Sequence, residues 1–163
     1  MGSQTLTPLS EQDRTAVIDI FNHYVEHSFA AYPEKKLDYS FYDNFLALSA
    51  RYPSAVMKLD GAVIGFGMLR PYSPMPVFAR AAEITYFLDP SHTGRGAGAT
   101  LLDHLCREGK NAGIDTIIAG ISSKNEPSLR FHAKHGFADA GRLVRAGRKH
   151  GEDFDVVLMQ KFI

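Results

Sequence analysis

Apolar residues change their spacing several times along this 163-residue chain, and each change marks an element. Ser3–Leu9 reads as a short opening strand. Ser10, Glu11, Gln12 and Asp13 then resemble a capping box, with Ser10 accepting from an early backbone N–H. Val17, Ile18, Phe21, Tyr24 and Val25 follow at helical spacing. Pro33 interrupts, and a second helix is predicted over Tyr39–Ala50. From Ser54 to Arg70 two apolar runs flank Asp60-Gly61, a dipeptide that tolerates positive φ, which predicts a hairpin. Ala79–Asp89 reads as the next strand, ended by Pro90. A helix is predicted from Gly96 to Asn111, with Ala97, Leu101, Leu102, Leu105 and Cys106 as its apolar stripe. Asp115–Ser122 is a short buried strand, and Glu126–Gly136 a helix with Pro127 in its first turn and Gly136 as its stop. Gly136–Gly147 and Asp153–Phe162 read as two last strands joined near His150-Gly151. The order is strand, two helices, three strands, helix, strand, helix, two strands. It predicts an α+β fold in one domain over residues 1–163, a mixed sheet with helices on both faces.

Lysine plus arginine equal aspartate plus glutamate at 18 each, so no net charge favours nucleic acid or an anionic membrane as a partner. A local basic cluster remains in Arg142, Arg145, Arg148 and Lys149. Cys106 is the single cysteine, which rules out an internal disulfide and fits the cytoplasm. The first ten residues lack the basic and apolar regions of a secretory signal, and Leu6 breaks the myristoylation pattern. No apolar run approaches the roughly 18 residues of a membrane span.

Three glycines, Gly94, Gly96 and Gly98, gather where the third helix begins, although glycine costs a helix about 1 kcal/mol relative to alanine. A helix start carries unpaired N–H groups and partial positive charge, and glycine lets the backbone approach an anion closely. Phosphate binding is the functional reading; a merely flexible loop is the bland one. No Gly-Lys-Ser/Thr follows, so this is not a Walker loop. Gly94-x-Gly96-x-x-Ala99 matches a dinucleotide fingerprint loosely. Asp115, however, opens the next strand where a ribose ligand should close it, and half the chain precedes the motif.

"HTGRGAG" (92–98) resembles instead the pyrophosphate loop of the GNAT acetyltransferase superfamily, with Gly96 and Gly98 in the glycine places and Thr93 where Gln or Arg is usual. "AEITYFLDPSHTGRGAGATLL", "NEPSLRFHAKHGF" and "GRKHGEDFDVVLMQK" resemble three ordered blocks of the phosphinothricin and methionine sulfoximine acetyltransferase branch. The resemblance implies the GNAT fold, a mixed sheet of about seven strands flanked by four helices. It also implies acetyl-CoA as co-substrate, a small amine as acceptor, no metal, and a homodimer. Backbone N–H groups across Gly94, Arg95, Gly96, Ala97, Gly98 and Ala99 would hold the pyrophosphate. Phe87 and Leu88, with Tyr86 beside them, would pair their main chain with the pantetheine arm, and a main-chain N–H near Leu88 would meet the developing oxyanion. Asn125 matches a cofactor-contacting asparagine that also suits a helix cap, and Ser128 joins it. Glu83 matches the branch's general base. His132 is first a pocket residue and second a proton donor for the leaving thiolate. His27 and Phe29, at the end of the first helix, would lie by the acceptor. Arg70, Tyr72 and Arg80 are candidates to neutralise an acceptor carboxylate. Asp153 stands where the branch commonly has an aromatic residue, with Phe154 next to it.

Two other classes compete. His23-x-x-Glu26-His27 fits the inverted zinc-protease pattern, with both histidines on one helix face, but no third ligand is assigned. A non-catalytic acyl-CoA sensor is the other; Glu83 argues for chemistry.

Overall fold

The computed structural model describes residues 2–163. Seven strands form one sheet in the order β1-β2-β3-β4-β5-β7-β6. β1 (Gln4–Thr7), β2 (Ser54–Leu59), β3 (Ala62–Pro71) and β4 (Ala81–Leu88) make an antiparallel meander. β5 (Thr116–Ser122), β6 (Ala138–Lys149) and β7 (Glu152–Phe162) make an antiparallel second group, with β7 between the other two. The groups meet where β4 and β5 run parallel, and they pair over three positions only: Ala81 with Thr116, Ala82 with Ile117, Glu83 with Ile118. Beyond Glu83 the two strands part. The four helices are α1 (Arg14–His27), α2 (Tyr42–Ser49), α3 (Ala97–Asn111) and α4 (Glu126–Lys134).

Side-chain alternation along the strands divides the core into two faces. Ala82 and Ile84 of β4 join Leu101, Leu102 and Leu105 of α3, the stripe expected from the sequence, together with Ile117 and Met159. Phe66 and Met68 of β3 join Val17, Ile18, Phe21 and Val25 of α1 and Tyr42 of α2, with Phe87 packed against them. The predicted order, mixed sheet and two-sided helix cover therefore all appear.

Both hairpin dipeptides adopt the backbone that their glycines permit: Asp60 and Gly61 have φ of 50° and 85°, and His150 and Gly151 have 50° and 76°. Gly136, at φ 88°, ends α4 as predicted. Two local expectations change. The opening strand is shorter than Ser3–Leu9, and the second helix begins with a 3₁₀ turn at Tyr39–Phe41. At Ser10 the expected capping box forms, with the Ser10 side chain accepting from the Asp13 backbone N–H and the Asp13 carboxylate reaching back to the Ser10 N–H. The Asp13 carboxylate accepts from the Ser10 N–H at 3.1 Å and from its hydroxyl at 2.9 Å, and pairs with Lys58 at 2.9 Å. Asp13 is buried, and these partners offset the cost of burying its charge.

Gly65 and Gly67 of β3 serve packing. A Cβ at Gly67 would lie 2.8 Å from both Leu105 Cδ1 and Tyr86 Cβ, and one at Gly65 would lie 2.5 Å from Leu88 Cδ2. Their absence of side chain lets Tyr86 and Leu88 lie flat over β3. Replacing Gly67 by alanine should lower stability by about 1–3 kcal/mol through overpacking, read from the urea midpoint. An unchanged midpoint would mean that Tyr86 and Leu105 are not held as described.

Candidate active site

A cavity of about 970 Å³ opens where β4 and β5 diverge, and it reaches both faces of the sheet. Its floor is the exposed flank of β4. The Asp89 N–H donates to Ile64 O at 2.8 Å and the Tyr72 N–H to Ala81 O at 3.2 Å. By the alternation of an antiparallel ladder, odd-numbered residues of β4 turn their main chain toward β3, and Tyr86 and Leu88 turn theirs toward the gap. The Tyr24 hydroxyl, from α1, reaches the Leu88 carbonyl from that side at 2.6 Å. The expectation for Phe87 is corrected accordingly. Its main chain belongs to the β3 ladder opposite Phe66, and its ring packs on Phe21 and Tyr24, with centroids 5.2 Å away in both cases. Register decides this point, and register is not visible in the residue types.

At the cavity's end stand the glycines. Gly94 and Gly96 have φ of 73° and 86°, and Gly96 is the N-cap of α3. A Cβ on either would meet nothing within 4 Å, so the loop faces open space. The first helical hydrogen bond here joins Thr100 N–H to Gly96 O, and no other bond among the described residues takes up the N–H groups from Gly94 through Ala99. This is a row of unsatisfied donors at the positive end of a 15-residue helix, lining a cavity. Such a row suits an anion such as a diphosphate, which it would hold by main-chain donors. Thr93, where a longer side chain was usual, bonds back to Pro90 O at 3.0 Å. The Arg95 side chain is exposed, and the Ala97 side chain is buried under the first turn of α3, so Ala97 offers this row only its main chain.

On the α4 side, Asn125 caps the helix, its side-chain oxygen accepting the Ser128 N–H at 3.3 Å, and both residues line the cavity. His132 is buried. Its Nδ1 lies 2.7 Å from the Ser128 carbonyl and its Nε2 lies 2.8 Å from the Tyr86 hydroxyl. A carbonyl only accepts, so Nδ1 carries the proton, and Nε2 takes the Tyr86 O–H. Burial pushes the His132 pKa below the ordinary histidine value and the Tyr86 phenol well above its own. The one proton of the neutral imidazole thus points into α4 and away from the cavity. His132 holds Tyr86 in place, and the geometry gives no support to the proton-donor role expected for it.

On the opposite face Glu83 lines the cavity with its cross-strand partner Arg70, Nη2 to Oε2 2.7 Å apart. Tyr32, which no sequence motif marks, walls the same side. Its hydroxyl donates to Gly120 O at 3.1 Å and its ring stacks on Phe154 at 5.6 Å. Buried Lys149 fastens this loop by donating to Ser28 O at 2.7 Å and Ala31 O at 2.6 Å.

The other acceptor candidates lie elsewhere. His27 is exposed on α1 with its ring 4.9 Å from that of His23, and Phe29 packs on Phe154 at 5.7 Å. Tyr72 packs on Phe78 at 5.5 Å, and Arg80 pairs with Asp115 at 3.1 Å. None of the four lines the cavity. Glu26 pairs with Lys36, and among the described residues no third ligand joins His23 and His27.

The chain's similarities follow the same outline. The profile of the Acetyltransferase (GNAT) family matches residues 17–137. The phosphinothricin N-acetyltransferase of Streptomyces viridochromogenes is 32% identical over 96% of this chain and 86% of its own. The L-methionine sulfoximine/L-methionine sulfone acetyltransferase of Salmonella typhimurium is 31% identical over 96% of this chain and 92% of its own. The structure of a GNAT superfamily phosphinothricin acetyltransferase from Sinorhizobium meliloti, in complex with acetyl-CoA, superposes with a TM-score of 0.92 at 26% identity, covering 98% of this chain and 88% of that one. With its parted β4 and β5, its bare glycine loop at the start of α3 and these relatives, the chain belongs to the GNAT acetyltransferase family.

Proposed function

We propose that this enzyme moves the acetyl group of acetyl-CoA directly to the amine of a small amino-acid-like acceptor. The row of free N–H groups from Gly94 to Ala99 carries the reading, because it is a diphosphate cradle built without side chains. The names of the relatives, which include phosphinothricin and methionine sulfoximine acetyltransferases, support the acceptor class.

Acetyl-CoA supplies an activated thioester. Its pantetheine arm would lie along the free main chain of Tyr86 and Leu88, with Asn125 and Ser128 on the far wall. The thioester then sits between Glu83 and the Leu88 N–H. Only a neutral amine attacks. Deprotonation near pH 7 costs about 1 kcal/mol for a peptide α-amine of pKa 7.7–8.0 and roughly 4–5 kcal/mol for a lysine near 10.4, and a free amino acid, whose own carboxylate stabilises the ammonium, falls between them. Glu83 takes that proton, directly or through one water. The N–C bond forms, the Leu88 N–H meets the developing oxyanion, and the C–S bond breaks. The departing thiolate, with a parent pKa near 8.5, leaves without help from His132 and takes a proton from water.

We further propose that the enzyme is cytoplasmic and works as a homodimer in one domain. The lone half-buried Cys106 fits the first. Val144, 70% exposed on β6, and Val77, 83% exposed before β4, offer apolar surface for the second. No helix among the described residues is long and apolar enough to cross a membrane.

Glu83→Gln should lower kcat by about 100-fold or more while coenzyme A affinity stays within twofold, read by thiol release and calorimetry. Wild-type turnover in that variant would remove Glu83 from the role. In Gly96→Val the β-branched residue cannot hold a φ of 86° and would project into the cradle, so coenzyme A binding should weaken by at least tenfold. Full affinity would contradict the phosphate placement. His132 should keep its neutral ring resonance at pH 6.5. Its folded pKa lies below its unfolded one, so its contribution to stability is complete above about pH 6.5 and is lost as pH falls toward the folded value. A half-protonated ring at pH 6.5 would contradict the Tyr86–His132–Ser128 arrangement.

A further inference from the structure

Arg70 and Glu83 form the only ion pair lining the cavity among the described residues, and they do so as directly opposed residues of β3 and β4. The other nearby cations are occupied away from the gap. Lys149 is bound to two carbonyls, Lys124 to Glu152 at 3.0 Å and Arg80 to Asp115. Lys134 lines the cavity too, but from α4 on the other face. On the acceptor side, Arg70 is therefore the one positive group available to a ligand.

The pair is cheap to open. The Arg70 and Glu83 side chains are 52% and 32% exposed, so water screens them and the pair adds little to stability. It also obstructs catalysis while closed, because the guanidinium occupies the carboxylate oxygen that would otherwise face the amine. An α-amino acid carries the complementary charges, ammonium and carboxylate, on neighbouring atoms. Set across Arg70 and Glu83, it can replace one ion pair by two.

We propose that Arg70 determines acceptor specificity by exchange: it leaves Glu83 for the α-carboxylate of the acceptor, and the exchange frees Glu83 to take the proton of the adjacent amine. The substrate class is then narrower than small amines. It is α-amino acids with a free carboxylate. An amine without that carboxylate meets Glu83 still held by Arg70. The inference rests on Glu83 acting as the base.

The test compares L-methionine sulfone and phosphinothricin with their α-carboxamides as acceptors, in wild type, Arg70→Lys and Arg70→Gln. KM and kcat are read separately. The amine of a carboxamide is the less basic, so intrinsic reactivity favours it, and a preference for the acid reports on the site. Wild type should favour the acids by tenfold or more in kcat/KM. Arg70→Gln should lose about 10- to 100-fold on the acids, mostly in KM, in line with a lost hydrogen bond to a charged group of about 1.5–3 kcal/mol. The same variant should raise kcat for the carboxamides, because Glu83 is no longer held, and an unchanged kcat would overturn the exchange. Arg70→Lys should fall between, keeping charge but losing the fork. A wild type that treats acid and amide alike would overturn the exchange, and so would an Arg70→Gln variant that depresses both by the same factor. A wild type that binds coenzyme A but acetylates none of the four would overturn the underlying reading of the acceptor site as well.

Discussion

The parting of β4 and β5 after Glu83 is the constraint on which the rest depends. Main-chain N–H and C=O groups that lose a strand partner must find another, because leaving them buried and bare is expensive. At Leu88 the protein supplies half of the answer, the Tyr24 hydroxyl on the carbonyl. The remainder faces a cavity, and an extended ligand with amides of its own satisfies it as a further strand would. The gap survives because each side is held independently. Gly65 and Gly67 let β4 lie close on β3, and β5 is paired along its whole length with β7. The gap is thus a property of the sheet, available before any ligand arrives.

The two faces of the sheet give the two ends of the gap different chemistry. Toward α3 and α4 the walls are main chain, a capped helix start, a neutral histidine bonded to a tyrosine, and Lys134, with no carboxylate to take a proton. Toward α1 the walls carry Arg70, Glu83 and the aromatic stack of Tyr32 on Phe154. An anion is thus held by dipoles on one side, and a proton is moved by a carboxylate on the other. The β6–β7 hairpin contributes to the second wall from a distance. Phe154 lies under Tyr32 and Phe29, and Lys149 holds the loop after α1 by two carbonyls. The position beside Phe154, where the aromatic residue of the branch is replaced by Asp153, instead pairs with Arg148 at 2.8 Å, so the stack rests on Phe154 alone.

Much of this was legible in the residues. Periodicity located every strand and helix, and turn dipeptides located both hairpins, because those signals are local. The glycine loop was legible for the same reason: positive φ and a bare helix start are consequences of Gly94 and Gly96 themselves. What escaped depends on pairing across the chain. Whether Phe87 or its neighbours face the gap follows from a register with Phe66, twenty-one positions away in sequence. Arg70 was one of two candidate cations, with Tyr72 as a third candidate, and only its position opposite Glu83 separates it from Arg80. His132 reads as a pocket residue first and a proton donor second, and the second role loses support because Tyr86 and Ser128 take both ring nitrogens. Lys149 read as part of a solvated basic cluster, yet its stem is buried and its charge is spent on main-chain carbonyls.

Amide hydrogen exchange, followed residue by residue with and without coenzyme A, addresses the central claim most directly. The N–H groups of Tyr86, Leu88 and Gly94 through Ala99 should exchange freely in the unliganded protein and become protected on binding. Phe87, already in the β3 ladder, should be protected in both states. Coenzyme A binding that leaves Tyr86, Leu88 and the glycine amides exchanging as before would contradict the role assigned to the gap.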